Sequence, residues 1–246
     1  MYQFFVSPEQ ISGKAVIITG ADVNHIKNVL RMKPGEEIAI SNGVDNKEYR
    51  CAIESLNDDS IQCTLLFVKE DGLELPSKVY LFQGLPKADK MELIIQKAVE
   101  LGIYEIIPVE TKRAVVKLDA KKAASKVSRW NAIAEASAKQ SKRRVIPEIT
   151  RPMTFKQAVQ YAKELDVKLI PYELSEGMPE TKRLIEGVQP GQSVAVFIGP
   201  EGGFAEEEIA LAQENDISPI TLGKRILRTE TAGFTVLAWL MYHLEQ

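Results

Sequence analysis

Residues Ser193 to Ala212 read SVAVFIGPEGGFAEEEIALA, and this stretch decides the fold of the second half of the chain. An apolar strand, Val194 to Ile198, runs into the turn Gly199-Pro200-Glu201-Gly202-Gly203, and an acidic helix follows at once. Strand, glycine turn and helix in that order place bare backbone and a helix N-terminus against a small molecule. The turn lacks the terminal Gly-Lys-Ser/Thr of a P-loop, and it is not G-x-G-x-x-G. Glu201 lies inside it, and Glu206, Glu207 and Glu208 fill the next helical turn. These carboxylates suit the positive end of the helix dipole and occupy the niche an anion needs. A di- or triphosphate is therefore disfavoured, and a neutral or cationic ligand is expected.

A second unit of the same kind closes the chain, PITLGKRILRTETAGFTVLAWLMYHL. A strand ends at Leu222, Gly223 permits a turn, and KRILR leads to Thr229, a good N-cap type. The helix beyond is apolar almost all round, so it must be buried in the core or against another subunit. Two such loops at the carboxyl ends of parallel strands form one crevice, where open α/β sheets bind ligands. Each loop alone is a weak signal, and a plain β–α turn is the alternative.

Working outward, strands and helices alternate from Val79 onward, which argues for a mainly parallel sheet covered on both faces. Met91, Ile94, Ile95, Ala98 and Leu101 mark one helical face, and Ala123, Val127, Trp130 and Ala134 mark another. Thr154 with Gln157 makes a capping box. The first 70 or so residues differ in texture: QFFV, KAVIIT, EEIAIS, EYRCAIESL and SIQCTLLFV are short strands, consistent with a small barrel. One helical insert, DVNHIKNVLRM, has Asp22 as its expected N-cap. The polar segment Lys69 to Lys78 reads as the linker.

At 246 residues, 45% hydrophobic and 26% charged, the chain has the composition of a globular protein with a substantial core. No apolar run approaches the roughly 20 residues that span a bilayer, and the N-terminus lacks a signal-peptide pattern. Two cysteines, Cys51 and Cys63, give no disulfide framework and no metal spacing. No membrane, no metal and a reduced, cytoplasmic setting are expected. The net charge of −3 hides eleven lysines and arginines between Thr111 and Arg144, opposed only by Asp119 and Glu135. Such a patch is either a nucleic-acid footprint or a solvated helix face.

FIGPEGGFAEEEI followed by LGKRILRTETA closely resembles the RsmE family of 16S ribosomal RNA uridine-N3 methyltransferases. HIKNVLRMKPGE, KMELIIQKAVELG and AKQSKRRVIPEI match as well, so the resemblance spans nearly the whole chain. It implies an α/β fold in two parts: a PUA-like β-barrel over residues 1–72 and, over 73–246, a SPOUT domain whose mainly parallel sheet carries a deep trefoil knot. It further implies S-adenosylmethionine as cofactor, a homodimer, and the 16S rRNA of the small ribosomal subunit as partner.

On that resemblance the cofactor lies among three loops, Pro171 to Leu174, Ile198 to Gly203 and Leu222 to Arg228. The residues expected to hold it are Leu174, Ile198, Gly199, Pro200, Glu201, Gly202, Gly203, Leu222, Gly223, Ile226, Leu227 and Arg228. Leu222, Ile226 and Leu227 are expected to form apolar walls. Arg228 is the expected catalytic residue, its guanidinium stabilising charge on the uracil carbonyl oxygens; the alternative is an ion pair with Glu230. His25, Arg31, Lys90, Arg113, Gln140, Lys142, Arg143 and Arg144 are the expected RNA contacts, with Arg143 and Arg144 on a flexible loop ordered by RNA. Two positions depart from the family pattern: Ala205 stands where an N-cap hydroxyl is common, and Lys139 stands where glutamate is common. Methylation of another atom, such as a ribose 2′-hydroxyl, and a non-catalytic ribosome-assembly role are the competing readings.

Overall fold

In Ala15–Thr19 the side chains of Val16 and Ile18 point inward while Ala15, Ile17 and Thr19 point out, the period-two pattern of a half-buried strand. The same logic builds all of the first part of the computed structural model, which describes residues 1–70, 72–172 and 177–245. Its strands are β1 (Gln3–Phe5), β2 (Ile11–Ser12), β3 (Ala15–Thr19), β4 (Glu37–Ser41), β5 (Glu48–Leu56) and β6 (Ser60–Lys69). They form one sheet in the order β1-β4-β5-β6-β3-β2, antiparallel except for β1 beside β4. Two register shifts between β5 and β6 bend the long hairpin. The sheet encloses Phe4, Ile18, Ile38, Ile40, Ile53 and Ile61, together with the inserted helix residues Val23 and Ile26. That insert is α1 (Ala21–Asn24), continued by a π-helical turn over His25–Val29. Gly20, not Asp22, is its N-cap; Asp22 sits in the first turn, where its charge suits the helix dipole. Cys51 and Cys63 are buried free thiols, pushed up by burial to about 11 and about 12 respectively, so neither ionises near neutral pH.

The chain divides into two compact units, Met1–Glu74 with Ala138–Ile146, and Leu75–Ser137 with Pro147–Gln246. Residues 138–146, which the sequence places in the second domain, thus count with the first unit. Glu74 is the reason. Its carboxylate accepts from the Arg143 guanidinium and from the backbone N–H groups of Arg144 and Val145, at 3.2 and 3.3 Å. Gln3 Nε2 donates to the Arg143 carbonyl at 2.9 Å, and Ile146 N donates to Gly43 O at 3.0 Å.

In the second unit every strand pairing is parallel. The strands are β7 (Lys78–Gly84), β8 (Glu105–Glu110), β9 (Glu148–Ile149), β10 (Met153–Thr154), β11 (Val167–Pro171), β12 (Ser193–Ile198) and β13 (Ser218–Ile220). Their order is β10-β8-β7-β12-β11-β13, with β9 also alongside β8. The helices are α2 (Lys90–Glu100), α3 (Ala120–Gln140), α4 (Phe155–Ala162), α5 (Met178–Glu186), α6 (Glu206–Gln213) and α7 (Thr229–Leu244). α2 buries Met91, Ile94, Ile95, Ala98 and Val99, and α4 starts on the Thr154–Gln157 capping box. One side of the sheet carries an aromatic core in which Phe82 and Phe197 stack with centroids 4.4 Å apart, flanked by Phe155 and Phe204. After β13, at one edge of the sheet, the chain turns back, so that α7 packs against α2, α5 and β12. α7 buries Val236, Leu237, Leu240 and Leu244, leaves Trp239 and Met241 half-buried, and exposes Tyr242. That return places the loop after β13 beside the loop after β12.

Candidate active site

The glycine turn after β12 is held by hydrogen bonds that sequence periodicity does not show. Gln83, fully buried at the end of β7, donates from Nε2 to Thr229 Oγ1 at 2.9 Å and to its neighbour's carbonyl, Gly84 O, at 3.0 Å. Thr229 Oγ1 in turn donates to Gly199 O at 2.6 Å. Thr229 is therefore not the N-cap of α7; Arg228 occupies that position with extended backbone, and the threonine hydroxyl is spent on the glycine turn. Gly84 lets β7 approach closely: a Cβ there would lie 2.7 Å from Pro200 N and 2.6 Å from Pro200 Cδ.

The third loop is fixed in the same way. Thr181 Oγ1 accepts from Thr221 N at 2.9 Å and donates to Thr221 O at 3.2 Å, and Tyr172 N donates to Ile220 O. Between these loops opens a cleft of about 890 Å³, within the roughly 300–1,000 Å³ usual for small-molecule sites. Its walls are Pro171 and Tyr172, the turn from Ile198 to Phe204 with Glu206, and Thr221 to Thr229 with Ala232. Lys90 and Arg113 complete it. Of the residues the sequence assigns to a cofactor, Ile198, Gly199, Pro200, Glu201, Gly202, Gly203, Leu222, Gly223, Ile226, Leu227 and Arg228 all line this one cleft. Leu174 lies outside the described residues.

The carboxylates behave differently from the sequence expectation. Lys90 Nζ lies 3.0 Å from Glu201 Oε1 and 3.5 Å from Glu230 Oε2. Burial alone would push the Glu201 carboxyl up. The Lys90 ammonium and the backbone N–H of Lys87 outweigh that and hold it below the usual carboxylate range. Glu208 accepts from Ala205 N and from Lys112 N, each at 2.8 Å, which makes the half of a capping box that needs no hydroxyl at Ala205, and Glu207 pairs with the Lys112 ammonium. Three of the four glutamates are thus engaged by the protein itself. Lys90, Arg113, Lys224, Arg225 and Arg228 line the cleft against only Glu201 and Glu206. Its lining is net cationic, so no excess of carboxylate selects a cationic ligand here.

Arg228 is exposed, and no ion pair holds its guanidinium among the described residues; Glu230 turns to Lys90 instead. Arg113 also reaches the cleft, donating from Nη1 to Gly202 O at 3.2 Å. Of the other expected RNA contacts, His25, Arg31, Gln140 and Lys142 lie exposed in the first unit. Arg143 and Arg144 do not. They are only 5% and 3% exposed, paired with Glu74 and Glu48, because two guanidinium groups out of water require fixed acceptors. The expectation of a flexible, RNA-ordered loop at these two arginines is corrected on that ground. Sequence reading missed Gln83, Thr181, Lys224 and Arg225. A glutamine ending the apolar run VYLF was the one available signal.

Among the described residues no cluster of His, Cys, Asp or Glu is placed to hold a metal, and no helix is long and apolar enough to cross a membrane. The family model for an RNA methyltransferase domain matches residues 73–241, and that for an RNA methyltransferase PUA domain matches residues 18–66. The chain is 40% identical over 231 residues to the ribosomal RNA small subunit methyltransferase E of Bacillus subtilis, covering 93% of this chain and 90% of that one. It is 37% identical to the protein of the same name from Mesomycoplasma hyopneumoniae, covering 96% and 97% of the two chains. The crystal structure of a ribosomal RNA small subunit methyltransferase E from Neisseria gonorrhoeae bound to S-adenosyl methionine superposes with a TM-score of 0.84 at 30% identity, covering 98% and 97%. Two matched domains in this order, near-complete coverage and a cleft built from both glycine loops lead to one conclusion: the chain belongs to the RsmE family of ribosomal RNA small subunit methyltransferases.

Proposed function

We propose that this protein transfers a methyl group from S-adenosylmethionine to N3 of a uridine in 16S rRNA of the small ribosomal subunit. That it is an S-adenosylmethionine-dependent rRNA methyltransferase follows from its family; the atom and base are the finer part of the reading. The observation that carries it is the convergence of two glycine loops on one cleft with an unpaired arginine at its edge.

The residues present fit the cofactor. A Cβ on Gly203 or Gly223 would meet no atom within 4 Å, and both have left-handed φ, 65° and 99°. At both points bare backbone faces open space, as an adenosine laid against the main chain needs. Half-buried Leu222 and Leu227 supply apolar walls, and Glu206, the cleft glutamate that no ion pair engages among the described residues, is the carboxylate able to face an ammonium. The bound cofactor supplies an electrophilic methyl group on a sulfonium. The rest falls to the protein: uracil N3 must give up its proton, and Arg228 offers paired donors to the carbonyl oxygens on which negative charge then builds. The cationic lining from Lys224 to Arg228 suits a phosphate backbone. A homodimer, a knotted chain path and a cytoplasmic setting belong to the same reading.

The test is methyl transfer from labelled S-adenosylmethionine to small subunits lacking the modification, with nucleosides resolved by mass spectrometry. N3-methyluridine with wild type, and at least a hundredfold less with Arg228→Ala, is expected. A 2′-O-methyl product would reassign the atom. Donor binding without any product would point to another RNA, and absence of donor binding would leave an RNA-binding assembly factor.

A further inference from the structure

Ile226 is 93% exposed, the most exposed of the large hydrophobic side chains of the described residues. It stands in the loop Lys224-Arg225-Ile226-Leu227-Arg228, in which Lys224, Arg225 and Arg228 are also exposed. The neighbouring apolar side chains Leu222 and Leu227 are half-buried and already form walls of the cleft, so the isoleucine is not needed as a third.

Building on the proposed function, we infer that Ile226 is a positioning residue for the RNA substrate: its side chain enters the base stack vacated by the target uridine and holds that uridine out toward the cleft. Three observations support this. First, a stacked base cannot turn its N3 edge to a protein cleft, so the uridine must be displaced, and apolar side chains inserted between bases do this in other nucleic-acid complexes. Second, Ile226 is flanked on both sides by cations that no carboxylate pairs among the described residues, which suits phosphates on either side of an opened step. Third, its β-branch leaves few side-chain rotamers to freeze on insertion. A second copy of the chain is a poorer occupant. A twofold axis passing through this loop would set three cations that no carboxylate pairs among the described residues against the same three, and sedimentation in the experiment below separates that occupant from RNA.

The experiment compares wild type, Ile226→Ala, Ile226→Asn and Ile226→Leu. Single-turnover methyl transfer is measured on unmodified small subunits over a range of subunit concentration, with donor binding by calorimetry and mass by sedimentation. Ile226→Ala and Ile226→Asn are expected to lower the saturating rate at least tenfold. The subunit concentration for half-saturation should stay within threefold and donor Kd within twofold. Ile226→Leu should recover most of the rate. A donor Kd that weakens in step with the rate would overturn the inference and return Ile226 to the cofactor wall. A changed sedimentation mass would overturn it in favour of a subunit interface, and unchanged transfer would remove any role. Wild type transferring no methyl group would fail the underlying reading as well, whereas the preceding outcomes with active wild type fail this inference alone.

Discussion

The hydroxyl of Thr229, the first residue of α7, donates to the carbonyl of Gly199 across 2.6 Å while accepting from Gln83. One side chain thereby ties the last helix, the glycine turn and the end of a central strand. Its removal leaves the Gln83 amide buried with one fewer acceptor, a loss of about 1–3 kcal/mol. Thr229→Val is expected to lower the melting temperature and weaken S-adenosylmethionine binding about tenfold in calorimetry. Thr229→Ser, which keeps the oxygen, should restore both. A loss in Thr229→Ser with none in Thr229→Val would mean that the methyl group, not the hydroxyl, holds the turn.

Gly84 tests the same joint from the other side. A Cβ there would fall 2.7 Å from Pro200 N, a backbone atom that cannot rotate away. Gly84→Ala should therefore displace the glycine turn, at a cost of about 1–3 kcal/mol from overpacking. The displacement should appear as weaker donor binding. Gly191→Ala is the control for stability alone: its φ of 91° strains a side chain although its Cβ would meet nothing within 4 Å, and it lies outside the cleft, so it should lower the melting temperature and leave donor binding unchanged.

These two joints also mark where sequence reading stops. The alternation in Ala15–Thr19 and the apolar face of α2 are local patterns, and both are legible as strand and helix. The two glycine loops were legible too, because a turn must follow each strand. The partner of each loop was not. Gln83 and Thr229 are 146 residues apart, and nothing local to either reports the other. Arg143 and Arg144 failed for the same reason: two adjacent arginines read as solvated unless Glu74 and Glu48 are known to fold against them. Thr229 looked like a cap because its residue type suits one, yet the capping position fell to Arg228, whose side chain makes no capping bond.

Glu201 gives the cleft a pH signature. Its carboxyl is held below its ordinary value of 4.5, so the folded state binds a proton there less readily than the unfolded chain. The stabilisation is present above that ordinary value and is lost as pH falls through the lowered folded value. Wild type should lose more melting temperature than Glu201→Gln as pH is taken from 6 to roughly 3.5. Parallel curves for the two proteins would mean that the Lys90–Glu201 pair contributes nothing to the fold.

The Glu74–Arg143 pair separates a buried structural cation from an RNA contact. The Arg143 guanidinium donates to Glu74 from both Nε and Nη2, and the arginine is only 5% exposed. Breaking such a pair from one side leaves a desolvated charge and costs about 3–5 kcal/mol, whereas replacing both partners by apolar groups is far milder. Glu74→Ala is therefore expected to be the most destabilising of these substitutions, because it also strips acceptors from Arg144 N and Val145 N. Arg143→Met should leave Glu74 bonded to those two backbone groups and should be milder. The double variant Glu74→Gln with Arg143→Met should lose less than the sum of the Glu74→Gln and Arg143→Met single variants, a coupling read from that double-mutant cycle of urea midpoints. Additive losses would show that the two side chains do not stabilise one another. A loss of RNA affinity in Arg143→Met at full stability would show that the guanidinium leaves Glu74 to meet phosphate.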